Sequence, residues 1–303
     1  MSEAKRTRRG FTLVELLTVL AIITLLVGLL VPSLTMIRRT AKETKQKAML
    51  ASIEAALTAF RNDYGDYPPS DGWDFTINPP DGDTSPYGGA QKLVEALLGR
   101  DLMGFHPGTG WRLDDGMYPN AEGTPPEVMD LNLRQRKDRY LELATVNPFY
   151  MGVTSEHDGL YHIPGMPSPS PLFPGRNTFV LCDVFGKRKV TLGNGDVVKA
   201  GTPILYYKAN TSSKLLKDGP DLDLRIYAAY DNVGVIVSED IEEDGATGQQ
   251  PLANPADNWL NFYDYIQDPT VPYWPYRPDS YLLITAGFDG IYGTADDICN
   301  FGN

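Results

Sequence analysis

Apolar positions are distributed very unevenly along this chain. From Phe11 to Val31 almost every residue is apolar, a run of about twenty residues that is long enough to cross a bilayer as one helix. Beyond Pro32 the run gives way to a spaced pattern. Leu34, Ile37 and Ala41, then Met49, Ile53, Ala56 and Phe60, recur at three- and four-residue steps and mark one apolar stripe, with lysines and arginines on the other faces. Ala48, Ala51, Ala55, Ala56 and Ala59 favour helix. The two patterns predict a single helix from Phe11 to about Asn62, its first half in a membrane and its second half turned to a sheet. Gly28 and Pro32 weaken the hydrogen-bond ladder between the halves. Asp63-Tyr64-Gly65-Asp66-Tyr67-Pro68-Pro69 ends the helix, because glycine suits the left-handed terminal position and proline stops continuation.

The pattern then changes twice. Residues 65–176 carry many prolines and glycines and only short apolar runs, which predicts a loop-rich insertion with a helix at Ala90–Leu98 closed by Gly99. A second helix is predicted from Pro126 through Leu141, and Gly159–Gly175 reads as loop. Residues 177–303 carry the strand signals: Thr178–Val184, Lys189–Leu192 and Asp196–Lys199 around the hairpin turn Gly193-Asn194-Gly195, Pro203–Lys208, and Ser280–Thr285. The expected class is α+β, a long N-terminal helix packed on a small antiparallel sheet.

Charge adds a topology. The 303 residues carry a net charge of −12, but residues 1–50 hold nine Lys/Arg against Glu3, Glu15 and Glu43, leaving +6 there and −18 over the rest. An acidic body argues against nucleic-acid binding. Lys5, Arg6, Arg8 and Arg9 favour a cytoplasmic N-terminus. The basic cluster Arg38–Lys47, on the far side of the span, leaves the orientation open on charge alone. Cys182 and Cys299 are the only cysteines; in an exported domain they have the choice of a disulfide or two buried thiols.

Glu15 places a carboxylate five residues into the apolar run, which costs on the order of 2.5–3.5 kcal/mol on insertion scales and calls for a partner. Cleavage after Gly10 would supply one, the new amino group of Phe11. The stretch Arg9-Gly10-Phe11-Thr12-Leu13-Val14-Glu15, with Pro32 further on, resembles the processing site of type IV pilins and type II secretion pseudopilins. The resemblance implies that residues 1–10 are a leader cut off by a prepilin peptidase after Gly10, and that Phe11 is then methylated. It makes 11–32 the membrane and filament-core helix and 33–64 its amphipathic continuation. Glu15 becomes the assembly glutamate and Pro32 the helix-bending proline. It also implies a cytoplasmic N-terminus, an exported periplasmic body and a pilin-like fold, here enlarged by the 65–176 insertion.

Near the carboxyl end, Ala286-Gly287-Phe288-Asp289-Gly290-Ile291-Tyr292-Gly293-Thr294-Ala295-Asp296-Asp297-Ile298 sets three carboxylates in a glycine-punctuated loop, a composition suited to calcium. It resembles the calcium loop of the major type II secretion pseudopilins. By that resemblance Asp289 and Asp296 are the carboxylate ligands, Asp297 is an alternative or addition, and carbonyls near Ala286 and Thr294 complete the shell.

Other constellations point nowhere specific. His106, His157 and His162 match no zinc spacing, and no nucleophile elbow, Walker loop or catalytic carboxylate pair is present. The aromatic segment from Trp259 to Tyr281 reads as loops packed over the sheet, with a sugar or partner platform as the rarer alternative. The reading is a non-enzymatic structural subunit of a type II secretion pseudopilus. Its expected partners are other copies of itself, the prepilin peptidase, the inner-membrane secretion platform and minor pseudopilins. A minor pilin or adhesin-type binding subunit is the rival.

Overall fold

The computed structural model describes residues 12–71, 87–113, 115–118, 124–152, 159–161, 178–192, 194–213, 225–240, 250–253 and 260–302. The chain divides into two compact units, Met1–Thr44 and Lys45–Asn303. Helix α1, Leu13–Tyr64, begins in the first and ends in the second.

In the first unit α1 is helical through Gly28 and Pro32. Pro32 has no N–H to give the Gly28 carbonyl, while the neighbouring Ser33 hydroxyl donates to the Leu29 carbonyl at 3.0 Å. The apolar side chains from Leu13 to Val31 are exposed, as are Leu34 and Ile37, which the sequence pattern had put on the buried stripe. The helix is long and apolar enough over this stretch to cross a membrane.

In the second unit the stripe is buried from Gln46 onward. Met49, Leu50, Ile53, Ala56, Leu57 and Phe60 share a core with Leu93, Val94, Leu97 and Leu98 of α2 (Gly89–Leu98). Strand residues complete it: Leu181 of β2 (Phe179–Cys182), Tyr206 of β5 (Leu205–Lys208), Leu283 of β6 (Tyr281–Thr285) and Ile298 of β7 (Ile298–Cys299). The helix thus lays its apolar face on strands, as the 3.6-residue period requires. Within this half Glu54 is clasped by residues from the end of the body. Arg277 Nη1 and Asn300 Nδ2 both donate to Glu54 Oε1, at 2.8 and 3.1 Å.

The class is α+β, but among the described residues the strands form three small antiparallel sheets. β1 (Asn147–Tyr150) pairs with β2, β3 (Arg188–Thr191) with β4 (Val197–Ala200), and β5-β6-β7 make a three-stranded sheet with β6 in the centre. β1 was not anticipated. Pro148, which ordinarily argues against a strand, sits opposite Leu181. A second core of β2, β5, β6, a 3₁₀ turn at Ala229–Asn232, α4 (Val233–Asp240) and α5 (Leu260–Ile266) packs around Tyr207, Tyr227, Phe262 and Tyr263.

The insertion is ordered by a buried charged network. Glu95 on α2 is fully buried and accepts from Arg100 Nη2 at 3.0 Å, from Thr109 Oγ1 at 2.5 Å and from the Tyr87 hydroxyl. Arg100 also reaches Asp115 Oδ2 at 3.1 Å and the Leu113 carbonyl at 3.2 Å, and its guanidinium lies 4.6 Å from the Tyr118 ring centre. Gly99 closes α2 as expected. Its φ is +86°, and a Cβ there would stand 2.1 Å from the Gly104 carbonyl oxygen. Helix α3 (Pro126–Gln135) stops six residues short of the predicted Leu141. Arg136 turns extended so that its guanidinium meets Asp101 at 2.5 and 2.6 Å, and Lys137 bridges to Phe105.

Candidate functional site

Gly10 and Phe11 lie outside the described residues. The next residues form a capping box. Thr12 precedes the first helical residue. Its backbone N–H and hydroxyl donate to Glu15 Oε2 at 2.9 and 2.8 Å, and the Glu15 N–H donates back to Thr12 Oγ1 at 3.2 Å. In the isolated subunit Glu15 therefore satisfies the orphan donors of its own helix start. The T-x-x-E spacing of Thr12 and Glu15 carries this signal in the sequence itself. Glu15 is exposed, as are the apolar residues around it. Thr18 and Thr24, the other polar side chains of the run, return their hydroxyls to the carbonyls of Val14 and Leu20 at 3.0 Å each. That leaves Glu15 as the residue of this segment with charge to offer.

The carboxyl-terminal loop leaves β6 at Thr285 and returns as β7 at Ile298, whose carbonyl accepts from the Thr285 hydroxyl at 2.9 Å. Each expected carboxylate organises backbone within this short span. Asp289 Oδ1 accepts from the Ile291 N–H at 2.8 Å. Asp296 Oδ2 accepts from the N–H groups of Phe288 and Asp289 at 2.6 and 3.0 Å, and its Oδ1 from the Thr294 hydroxyl at 2.7 Å. Asp297 Oδ2 accepts from the Gly293 N–H and the Tyr265 hydroxyl, both at 2.7 Å. The Ala286 carbonyl accepts from the Gly290 N–H at 3.1 Å. Gly287 has φ +61°, and a Cβ there would stand 2.3 Å from the Asp296 carbonyl oxygen, so the two ends of the loop meet at a residue without a side chain.

The carboxyls differ in setting. Burial pushes Asp297 up to about 6, against its bonds from Tyr265 and Gly293, and the charges of Asp296 and Asp289 add to the rise. Asp296 is also partly buried, but the Thr294 hydroxyl and the Asp289 and Phe288 amides hold it below the usual carboxylate range. Tyr265 and Gln250 were missed at the sequence level. Gln250 Oε1 takes the Tyr292 N–H at 2.9 Å, and neither residue lies in the loop, so spacing carried no signal for them. Among the described residues no group of three or more His, Cys, Asp or Glu side chains is gathered so as to hold a metal ion.

Cys182 and Cys299 are buried thiols on β2 and β7 of different sheets, and the disulfide that the sequence left open is not formed between them. Cys299 Sγ stands 3.2 Å from Tyr265 Oη, and burial pushes its thiol up to about 12. His157, His162 and Trp259 lie outside the described residues. His106 is buried, its Nδ1 accepting from the Gly108 N–H at 3.1 Å.

An exposed apolar helix opening on the Thr12–Glu15 capping box, and a body of small antiparallel sheets, give an α+β class consistent with a pilin-like fold. Residues 5–31 match the family described as "Prokaryotic N-terminal methylation motif". The chain is similar to the type II secretion system core protein G of Aeromonas hydrophila, 28% identical over 139 residues that make up 43% of this chain and 96% of that protein. It is also 28% identical to the core protein G of Pectobacterium carotovorum subsp. carotovorum, over 141 residues, 43% of this chain and 88% of that protein. No solved structure matches.

Proposed function

We propose that this chain is a structural, non-enzymatic subunit of a type II secretion pseudopilus. It would be anchored in the bacterial inner membrane with its N-terminus cytoplasmic and its body periplasmic until a prepilin peptidase cuts after Gly10 and Phe11 is methylated. The observation that carries the proposal is the methylation motif over 5–31 on a chain that spans nearly the whole length of two core G proteins. The apolar face from Leu13 to Val31 has no cover within its own unit and would find it in membrane and then in neighbouring helices. Glu15 would exchange its bonds to Thr12 for the methylated amino terminus of an adjacent copy, and Pro32, by removing one ladder bond, would let α1 bend there. The secretion platform and minor pseudopilins are the further partners.

Calcium belongs to this proposal. Asp289, Asp296 and Asp297, with the carbonyls of Ala286 and Thr294, would draw together to hold it, and the ion would neutralise the carboxylates that bear on half-buried Asp297. All these donors are oxygens, which suits a hard cation. Chelation is expected to lower the melting temperature and added calcium to restore it; identical melting under both conditions would count against a structural ion.

The test of the whole reading is Glu15→Gln. Glutamine keeps the capping box and discards the charge, so leader removal, read as intact mass, should be normal while filaments recovered from overexpressing cells are lost. Normal filaments would refute the assembly role. One observation favours a rival, an adhesin-type or minor subunit: more than half of this chain lies outside the match to the core G proteins.

A further inference from the structure

The apolar surface of α1 outlasts the run that ends at Val31. Leu34, Met36 and Ile37 are exposed as well. The next two residues are Arg38 and Arg39, and Lys42 follows one turn on, all within the first unit. From Leu13 to Ile37 the helix rises about 36 Å at 1.5 Å per residue. A bilayer offers about 30 Å of hydrocarbon, and about 40–45 Å with both headgroup layers. A helix inserted as far as Ile37 therefore sets Arg38 and Arg39 in a headgroup layer. Lys42 lies about 6 Å further along, a distance its own long side chain can reach back across. Tilting the helix brings all three closer to the lipid.

The three cations are spread round the helix. Arg38 and Lys42, four residues apart, share one face, and Arg39 stands about 100° away from Arg38. Arg38 and Arg39 are exposed and Lys42 is half-buried. Arg39 Nε bonds Glu43 Oε1 at 2.9 Å in an exposed pair. Glu43 is the only acid between Glu15 and Glu54, so the turn keeps a net charge of +2 however its members pair. Orientation does not account for these charges: they lie at the opposite end of the span from Lys5–Arg9 and work against the bias that the leader sets.

We infer that Arg38, Arg39 and Lys42 form a collar that binds anionic phospholipid headgroups around the anchored subunit. The occupant follows from the span itself, because inserting the apolar run carries these residues into the layer of phosphates. Each arginine fork matches phosphate oxygens in pairs, and the lysine adds a point charge. The inference rests on the membrane placement in the pseudopilus proposal and goes beyond it by naming a lipid class. It concerns the subunit before assembly. Another copy would meet the collar only once the helix has left the bilayer, when protein contacts take the place of lipid ones.

Thr40→Cys carrying a bimane label, in the full chain reconstituted into phosphatidylcholine vesicles, puts a short-range reporter between Arg39 and Lys42. Cys182 and Cys299 are buried and out of the label's reach. Doxyl-labelled phosphatidylglycerol and doxyl-labelled phosphatidylcholine are compared as quenchers at equal mole fraction. A cation near an anionic surface contributes about a fivefold preference, so the anionic quencher should be at least about threefold the more effective. The preference should vanish in about 0.5 M salt. Arg38→Gln with Arg39→Gln and Lys42→Gln should abolish it, whereas Arg38→Lys with Arg39→Lys should keep most of it. Equal quenching by the two lipids at low salt overturns the collar and leaves the anchor standing. Quenching by neither places the helix outside the bilayer and overturns both readings. A preference that survives the triple glutamine variant also overturns the collar. So does one that free glycerol phosphate abolishes, which would assign the site to a soluble phosphate, or one that changes with the protein-to-lipid ratio, which would assign it to contacts between copies.

Discussion

Arg100→Leu is the substitution whose cost can be worked out most directly. The guanidinium is nearly buried, and so are both carboxylates it meets: side-chain exposures are 9% for Arg100, 0% for Glu95 and 10% for Asp115. Removing one partner of a buried pair costs about 3–5 kcal/mol, because the remaining charge has no water to turn to. Losing the bond to the Leu113 carbonyl adds about 1 kcal/mol. Against this, Arg100 Nε is buried without a hydrogen-bond partner, and its removal returns about 1–3 kcal/mol. The net expectation is about 3 kcal/mol within a span of about 1–5, or a fall in melting temperature of roughly 6–12 °C at the centre for a body of this size. Thermal unfolding of the full chain in detergent, followed by tryptophan fluorescence, reads it. The double variant Glu95→Leu with Arg100→Leu should recover part of the loss, since it removes the stranded Glu95 and leaves Asp115 alone without its cation. A single-variant loss below about 1 kcal/mol, or a double variant worse than the single, would show that the network is not what holds the insertion together.

Three further outcomes follow from the structure. Phe60→Ala removes a ring that meets Tyr64, Phe105 and Tyr140 at centroid distances of 4.7, 5.1 and 5.7 Å and should cost about 3–5 kcal/mol in denaturant unfolding. Gly287→Ala, at φ +61° and facing the Asp296 carbonyl, should cost more than about 1 kcal/mol and speed hydrogen exchange at Phe288 and Asp289; unchanged exchange would refute the close approach. The Asp115 carboxyl is raised by burial, but the Met117 amide, the Arg100 charge and the Thr109 hydroxyl outweigh that and hold it below the ordinary carboxylate range. A depressed carboxyl stabilises the fold above its unfolded pKa of about 4 and loses that contribution as pH falls through the lower folded value. Acid titration should therefore loosen the insertion below about pH 4, and Asp115→Asn should flatten that part of the profile.

Much of this architecture could be read in advance where a local period carries the information. The stripe from Met49 to Phe60 repeats at helical spacing and is buried as expected, and α2 ends at Gly99, where the chain needs a left-handed turn. What escaped prediction depends on partners remote in sequence. Pro148 made β1 look like loop, and only the pairing with β2 makes it strand. Leu260–Ile266 is aromatic and locally undecided, and becomes helix because Phe262 and Tyr263 fill the second core. The end of α3 was misplaced because the competing attraction, Asp101 for Arg136, lies 35 positions away. At the carboxyl-terminal loop the acidic positions were legible, while the remote neighbours that hold it, Tyr265 on the Asp297 carboxylate and Gln250 on the Tyr292 N–H, were not.

Glu54 has a consequence for the order in which the molecule is made. Its bonds to Arg277 and Asn300 close over 223 and 246 positions, and the central strand of the three-stranded sheet is β6, near the end of the chain. The lower half of α1 therefore cannot be clasped, nor that sheet completed, until residues 277–300 have left the ribosome. Contacts of such long range close slowly. If the body is exported as an open chain, as the pseudopilus proposal requires, that delay would help: until Arg277 and Asn300 have been made, the body lacks the pieces that would lock it shut on the wrong side.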